Sequence, residues 1–197
     1  MTPSTRSAPV ASESGHGSET TLHNHYYVTE FRQYRTYDAT LETGPYNFSY
    51  LNRPDFVDHF PYQDGVLISY WDTSMEDNNT SEHPGEGLIL PIDAHPVPLI
   101  RGDGAVWRAR VQAYDATFGL EPTDAISLGF ANFTTNVQYP VTHHPSLPAV
   151  PVFRDRQDFW FAAAPLASVK VPKTGTAIEV TGTSAQESFA QVHVRPD

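Results

Sequence analysis

The most regular alternation of apolar and polar residues lies at positions 105–114. A period of two places alternate side chains on opposite faces of a β-strand. The segment is therefore predicted to be a strand with one buried and one exposed face. Its apolar members are Trp107, Ala109, Val111 and Ala113, and its polar members are Arg108, Arg110 and Gln112.

Shorter apolar runs bounded by turn residues predict strands along the rest of the chain. Positions 65–71 form a continuous apolar run, as in strands buried on both faces. Positions 25–34 are dense in aromatic and β-branched residues, and in the last predicted strand Ala190, Val192 and Val194 share a face. The remaining predicted strands are 86–92, 125–130, 149–153, 159–163, 168–171, 177–181 and 189–195.

These patterns predict an all-β fold, a β-sandwich or jelly-roll-like domain of about ten short strands with little helix. The composition agrees, because aromatic residues make up 12% of the chain, while 17 prolines and 12 glycines are scattered between the apolar runs. One helical turn is predicted at 54–59, and a long polar loop follows the strand at 65–71.

The chain is predicted to consist of a disordered Ser/Thr-rich lead at 1–23 and one β-domain at 24–197. The lead has neither the basic start nor the apolar stretch of a secretory signal. The protein is therefore expected either to be cytoplasmic or to be a longer secreted protein whose start is missing here.

Charge and cysteine content exclude several classes of function. With 12 Lys and Arg against 23 Asp and Glu, the formal net charge is -11, which disfavours nucleic-acid binding and binding to anionic membrane surfaces. The 197 residues contain no cysteine, so disulfides, zinc–thiolate sites and cysteine nucleophiles are excluded. No apolar run approaches the roughly 20 residues of a membrane-spanning helix.

Sequence motifs for self-contained catalysis are also missing. The common zinc-protease motif needs two histidines separated by four residues along a helix, and no two of the nine histidines have that spacing. His23 and His25 are interpreted as a polar entry to the first strand. His143 and His144 are adjacent, so on a strand their side chains lie on opposite faces. The chain alone is predicted to be inactive as an enzyme.

An acidic stretch is the one candidate for a ligand site. Between Arg53 and Arg101 there is no Lys or Arg but there are nine Asp and Glu residues. Oxygen-rich loops of this kind bind Ca²⁺, although a solvated acidic loop explains the same pattern. His83 and His95 are interpreted as structural, and Glu30 and Arg32 as a pair on one strand face. The predicted calcium ligands are Asp72, Asp77, Asn78, Asn79 and Asp93.

Two blocks of sequence carry a family resemblance. HNHYYVTEFRQYRTYDATL and RPDFVDHFPYQDGVLISYWDTSMEDNNTSEHPGEGLILPIDAHP resemble the C-terminal region of immune inhibitor A, a family of secreted bacterial zinc metallopeptidases. WRARVQAYDATFGLEPTDAISL, AVPVFRD and VKVPKTGTAIEV fit the same region. The resemblance implies a last β-domain, likened to viral envelope glycoproteins, that follows a zinc catalytic domain and a MAM-type domain. It also implies structural calcium, with zinc confined to the catalytic domain.

These expectations favour a non-catalytic accessory domain that stabilises an extracellular protease and positions its protein substrates. Its expected partners are the catalytic and MAM-type domains of the parent enzyme. The high aromatic content leaves open a second interpretation, a surface- or glycan-binding β-sandwich module. A stand-alone hydrolase is a third, for which no carboxylate pair stands out.

Overall fold

The fold consists of three small antiparallel sheets, as a computed structural model of the chain shows. The structure describes residues 10–11, 24–46, 59–132, 134–184 and 189–197. The prediction of an all-β domain is confirmed. The first sheet contains β1 (Val10–Ala11), β2 (His25–Arg32), β3 (Gly65–Asp72) and β4 (Ile89–Ile92); the second contains β5 (Ile126–Asn132) and β6 (Val137–His144); the third contains β7 (Val152–Arg154), β8 (Thr176–Thr183) and β9 (Ala190–Pro196).

Helical structure in the described residues is limited to single turns. The α-helices are α1 (Ala39–Thr43) and α2 (Ala109–Gln112), and 3-10 turns occur at Thr36–Asp38 and Ala113–Asp115. None of the helices in this part of the chain is long and apolar enough to cross a membrane.

The centre of the first sheet is the pairing of β2 with β3, which runs without interruption from His25 opposite Asp72 to Arg32 opposite Gly65. The adjacent strand, β4, lies at the edge of this sheet and carries Pro91 opposite Ser69. Because Ile68 at the middle of β3 is completely buried, this sheet supplies the central wall of the core.

One hydrophobic core joins the first and third sheets, and a second lies beside β5. In the first core, Tyr27 of β2 meets Phe153 of β7 edge to face, with ring centroids 4.9 Å apart. Ile178 of β8 is buried in the same cluster. The second core consists of Leu99, Trp107, Val111, Tyr114 and Leu128.

The prediction of a strand at 105–114 is wrong, because residues 109–115 form α2 and the following 3-10 turn, and of the residues before them only Val106 forms an isolated β-bridge, with Ile100. Trp107, Val111 and Tyr114 are buried, and their spacings of four and three residues are those of one helix face. Gln112, expected on the polar face, is buried instead. Its amide accepts from the Leu99 N–H (2.7 Å) and donates to the Leu99 and Trp107 carbonyls (3.0 and 3.1 Å).

The predicted strands at 159–163 and 168–171 are also wrong, although their apolar residues are buried. Phe159 and Val169 lie in the first core, and the Val169 N–H donates to the Phe159 carbonyl (2.9 Å). The Ser168 hydroxyl accepts from the Phe161 N–H (3.0 Å) and donates to the Ala164 carbonyl (2.7 Å). These bonds hold the segment in successive turns.

The other predicted strands are found with shifted ends, and two strands, β1 and β6, were not predicted. Of the strand predicted at 86–92, only residues 89–92 form a strand, β4. The strands predicted at 125–130 and 189–195 begin one residue later than expected. The prediction omitted β6, which places His143 and His144 on a strand. The disordered lead and the helical turn at 54–59 lie outside the described residues, apart from β1 and His59.

Candidate functional site

The loop between β3 and β4 contains most of the predicted calcium ligands, and their side chains hold the loop in shape. Asp72 Oδ1 accepts from the backbone N–H (2.8 Å) and hydroxyl (2.5 Å) of Ser74. The Asn78 side-chain oxygen accepts from the Ile89 N–H (2.8 Å), which fastens the loop to the start of β4. The Asn79 carbonyl accepts from the Glu82 and His83 N–H groups (3.0 and 3.2 Å).

The His83 ring connects two parts of this loop. Its Nε2 lies 2.9 Å from Asp77 Oδ1 and its Nδ1 lies 2.7 Å from the Glu86 carbonyl oxygen. Both partners are acceptors, so both bonds form only when the ring carries two N–H groups. The hydrogen bond to Glu86 and then the Asp77 carboxylate raise the pKa of His83, and the protonated ring joins the two ends of the loop.

The loop also docks against the segment before β8. The Lys170 N–H donates to the Gly85 carbonyl (2.8 Å), and the Lys170 ammonium lies 5.3 Å from the centroid of the Trp160 ring. Gly85 has φ +82°, and a Cβ there would lie 2.3 Å from Trp160 Cδ1. Only glycine fits this position without strain.

Asp93, the last predicted ligand, lies at the other end of β4. The Asp72 N–H donates to the Leu88 carbonyl at the start of β4, and five residues of strand from Leu88 to Asp93 span about 17 Å. Asp93 Oδ1 accepts from the His95 N–H (2.8 Å). The structure therefore brings Asp77, Asn78 and Asn79 together in one loop and places Asp93 apart from them.

Asp93 belongs to a cluster with His95 and Asp115, in which Asp115 is buried and the other two residues are half-buried. The His95 ring faces two carbonyl oxygens, those of Asp115 (Nδ1, 2.9 Å) and Pro148 (Nε2, 2.9 Å), which supports the predicted structural role of His95. Its Nδ1 also lies 4.0 Å from Asp115 Oδ2. Burial raises the pKa of Asp93 and Asp115, and in Asp115 the Asp93 carboxylate adds to the effect. No sequence pattern pointed to Asp115, because it follows directly on the segment predicted to be a strand.

Asp155 is a second buried carboxylate and the most completely hydrogen-bonded. Its Oδ1 accepts from the N–H groups of Gly175 and Thr176 (2.8 and 2.9 Å). Its Oδ2 accepts from the N–H and hydroxyl of Thr174 (2.9 and 2.6 Å) and from the Tyr27 hydroxyl (3.3 Å). Burial and the Asp155 charge raise the pKa of Tyr27, which therefore stays protonated and donates. Asp155 thus fixes the turn before β8 against β2.

The predicted pair of Glu30 and Arg32 is present on β2, where the guanidinium contacts the carboxylate. A cavity of about 780 Å³ lies nearby, with His95, Tyr34 and Tyr62 in its wall. Across the described ranges, no three His, Asp or Glu side chains are grouped in a way that could hold a metal ion. The geometry of the loop and of the Asp155 carboxylate is that of internal structural supports, whereas Asp115 Oδ1 is buried without a hydrogen-bond partner among the described residues.

Comparison with sequence families defines the class of protein. Residues 20–192 match the VEG domain of immune inhibitor A-like metallopeptidases. Because this match covers most of the 197 residues, the chain belongs to that family, and the resemblance identified from the sequence is confirmed.

Individual relatives are considerably longer than this chain. It is 29% identical over 172 residues to the pre-pro-metalloprotease PrtV of two strains of Vibrio cholerae serotype O1. It is 27% identical over 182 residues to immune inhibitor A of Bacillus thuringiensis subsp. alesti. These alignments cover 87% and 90% of the chain but only 17% and 23% of the relatives. The chain therefore corresponds to about a fifth of the length of these metalloproteases.

Proposed function

We propose that this chain is a non-catalytic accessory domain of a secreted immune inhibitor A-like zinc metallopeptidase, which stabilises the protease and positions its protein substrates. The observation that carries the proposal is the match to one domain of that family, over a region that makes up a minor part of each relative. Proteolysis then belongs to a catalytic domain outside this sequence. The expected contacts are with that domain and with a MAM-type domain.

The polar interior supports a stabilising role. The buried Asp155 carboxylate and the half-buried His95 ring are both used in hydrogen bonds within the chain, so they are suited to rigidity. A rigid module is what an accessory domain needs if it is to limit local opening of its neighbours.

The experiment is a deletion and replacement in the Vibrio cholerae relative. Removing the aligned 172 residues should shorten the half-life of the protease on heating and lower kcat/KM for protein substrates more than for short peptides. Inserting the present chain at the same place should restore both. Unchanged half-life and unchanged kcat/KM after deletion would refute the proposal. This chain alone, with zinc added, should not cleave casein.

The proposal includes a structural calcium ion in the loop between β3 and β4. Ligand binding to the folded state alone stabilises by RT ln(1 + [L]/Kd), which is about 4 kcal/mol for millimolar Ca²⁺ at a micromolar site. If the loop at 72–79 holds calcium, Tm in millimolar Ca²⁺ should exceed Tm in EDTA, and Asp77→Asn should abolish the difference. Asp158→Asn, an exposed change remote in sequence from the loop, is the matched control. Equal Tm values in the two buffers would remove calcium from the proposal.

A second candidate function, glycan or surface binding, is favoured by one exposed tryptophan beside a half-buried tyrosine. Trp71 is 41% exposed on the first sheet, and its ring lies 5.6 Å from that of Tyr26 on the adjacent strand, tilted by 50° to it. An exposed indole offers a large apolar ring face on which the apolar face of a sugar can stack. Trp71→Ala should abolish binding on a glycan array, whereas Phe189→Ala, which removes another exposed aromatic ring, should not. An array without hits for the wild-type chain would exclude this function.

A further inference from the structure

The cavity of about 780 Å³ is lined in a way that suits a positively charged ligand. Its volume lies within the range of roughly 300–1,000 Å³ that is typical of ligand sites. The carboxylates of its lining are all on exposed residues and therefore lie toward the solvent, and no Lys or Arg is among the lining residues that the structure describes. The acidic residues of the lining are Glu42, Asp64, Glu121 and Asp124.

Aromatic side chains form the more buried part of the same cavity. Phe60, Tyr34 and Tyr62 are all half-buried and line it. Burial raises the pKa of both tyrosines, so their hydroxyls remain neutral and their rings present an uncharged π-surface. The chain already places one guanidinium near such a ring, because Arg32 lies 5.7 Å from the centroid of Tyr62. Aromatic faces attract guanidinium and ammonium groups.

The walls of the cavity are held in place by hydrogen bonds. The Gln63 N–H donates to the Tyr114 carbonyl (2.8 Å), and the Gln63 side-chain oxygen accepts from the Asp124 N–H (2.8 Å). Thr123 is tied to Leu147 by two bonds, of 3.0 Å through its N–H and 2.9 Å through its hydroxyl. A preformed site loses less conformational entropy when a ligand binds.

The arrangement of charges suits an organic cation better than a metal ion. Metal ions need several oxygens within about 2.6 Å, and in the described part of the chain no three carboxylates or imidazoles are grouped in that way. The carboxylates of the lining are instead on exposed residues, whereas its aromatic rings are half-buried. The lining also includes His95, both of whose ring nitrogens face carbonyl oxygens of the chain (2.9 Å each).

We propose that this cavity binds an arginine side chain of an extended polypeptide, with the guanidinium over the tyrosine rings and its charge balanced by Glu121 and Asp124. Arginine is favoured over lysine because the planar guanidinium stacks on aromatic rings and forms paired hydrogen bonds to carboxylates. The biological use of such a site rests on the proposed positioning of protein substrates. Peptide binding is measured on this chain alone, whereas substrate positioning is measured in the whole protease. One proposal can therefore be refuted while the other holds.

The test is an NMR titration of the full chain with acetyl-Gly-Arg-Gly-amide. Citrulline is a neutral analogue of arginine with nearly the same shape, so acetyl-Gly-citrulline-Gly-amide is the matched ligand control. The arginine peptide should shift the amide signals of the cavity residues saturably, with a Kd on the order of 1 mM or tighter. The citrulline peptide should bind at least tenfold more weakly, and the lysine peptide should fall between the two.

Variants then locate the site. Glu121→Gln combined with Asp124→Asn removes two exposed charges from the cavity and should weaken binding about tenfold, with the fold checked by an unchanged amide spectrum elsewhere. Glu82→Gln combined with Asp158→Asn removes the same charge from exposed positions outside the cavity lining and should leave Kd unchanged.

Three outcomes would overturn the proposal. Arginine and citrulline peptides of equal affinity would mean that charge is not recognised. An equal loss of affinity in both double variants would mean that only the net charge of the chain attracts the peptide. Shifts of the same amide signals by millimolar Ca²⁺ alone, with loss of peptide binding, would make the cavity a metal site.

Discussion

Replacing Asp155 by asparagine tests how much stability depends on one buried carboxylate. An asparagine has one acceptor oxygen, so its NH2 group must face donors on one side. The least costly orientation points the NH2 at Thr174 and Tyr27, whose hydroxyls can turn to accept, and leaves only the Thr174 N–H without a partner. The bonds from Gly175 and Thr176 persist but become neutral.

The magnitude follows from these bonds. The orphaned Thr174 N–H is only partly buried and costs about 1–2 kcal/mol, and the two remaining bonds each weaken by about 1 kcal/mol when the charge is removed. Asp155→Asn should therefore lower the free energy of unfolding by about 3–4 kcal/mol. This is a large part of the 5–15 kcal/mol typical of a domain. At about 2–4 °C per kcal/mol for a chain of this size, Tm should fall by about 6–16 °C.

The assay is urea unfolding followed by tryptophan fluorescence, together with a thermal scan. Asp158→Asn is the matched control, because Asp158 is an exposed carboxylate paired with Lys173, and such pairs contribute about 1 kcal/mol or less. The urea midpoint of Asp155→Asn should move with little change in the m-value. A loss of less than about 1 kcal/mol, or a loss equal to that of the control, would show that the donors around Asp155 find other partners.

Three further changes test other supports of the fold. Gly85→Ala should cost about 2–5 kcal/mol in urea unfolding, because φ is +82° and the new Cβ would meet Trp160; a fully stable variant would contradict the position of that ring. Gln112→Leu should cost about 3 kcal/mol or more, since three backbone bonds to a buried amide are lost; an unchanged midpoint would argue against that network. The pKa of His83 is raised above 6.5 in the fold, so its stabilisation is complete below about pH 6.5 and is lost as pH rises through the folded pKa. The Tm difference between wild type and His83→Ala should shrink over that range, and a difference that grows with pH would contradict a protonated ring bonded to Glu86.

The sequence predicted the hydrophobic parts of the fold better than its polar parts. The run at 65–71 was recognisable as a buried strand because every residue contributes to the pattern. At 105–114 the small side chains of Ala109 and Ala113 satisfied a period of two, while the large residues Trp107 and Val111 followed a helical spacing. Strand β6 was missed because most of its side chains are exposed and Pro140 lies within it, which argues against a strand.

The candidate sites depended on contacts that the sequence does not encode locally. Asp93 was identified as a possible ligand from its acidic surroundings. Its actual neighbour, Asp115, is 22 positions away. Asp115 directly follows the segment at 105–114, which was wrongly predicted to be a strand, so nothing indicated that it would lie beside Asp93. Four of the donors to Asp155 lie about 20 residues downstream, in a turn whose shape depends on glycine at φ +89°. The fifth, the Tyr27 hydroxyl, lies 128 positions upstream. Only the folded chain brings such groups together.

Pro91 at the edge of the first sheet has a consequence for behaviour in concentrated solution. Strand β4 is only four residues long and includes a residue without an N–H. A strand of this kind offers few backbone donors to an incoming chain, and short proline-containing edges are a known protection against aggregation. Pro91→Val would extend the row of donors along an edge that already exposes Ile89. The proline thus helps to keep neighbouring molecules from joining edge to edge through this sheet.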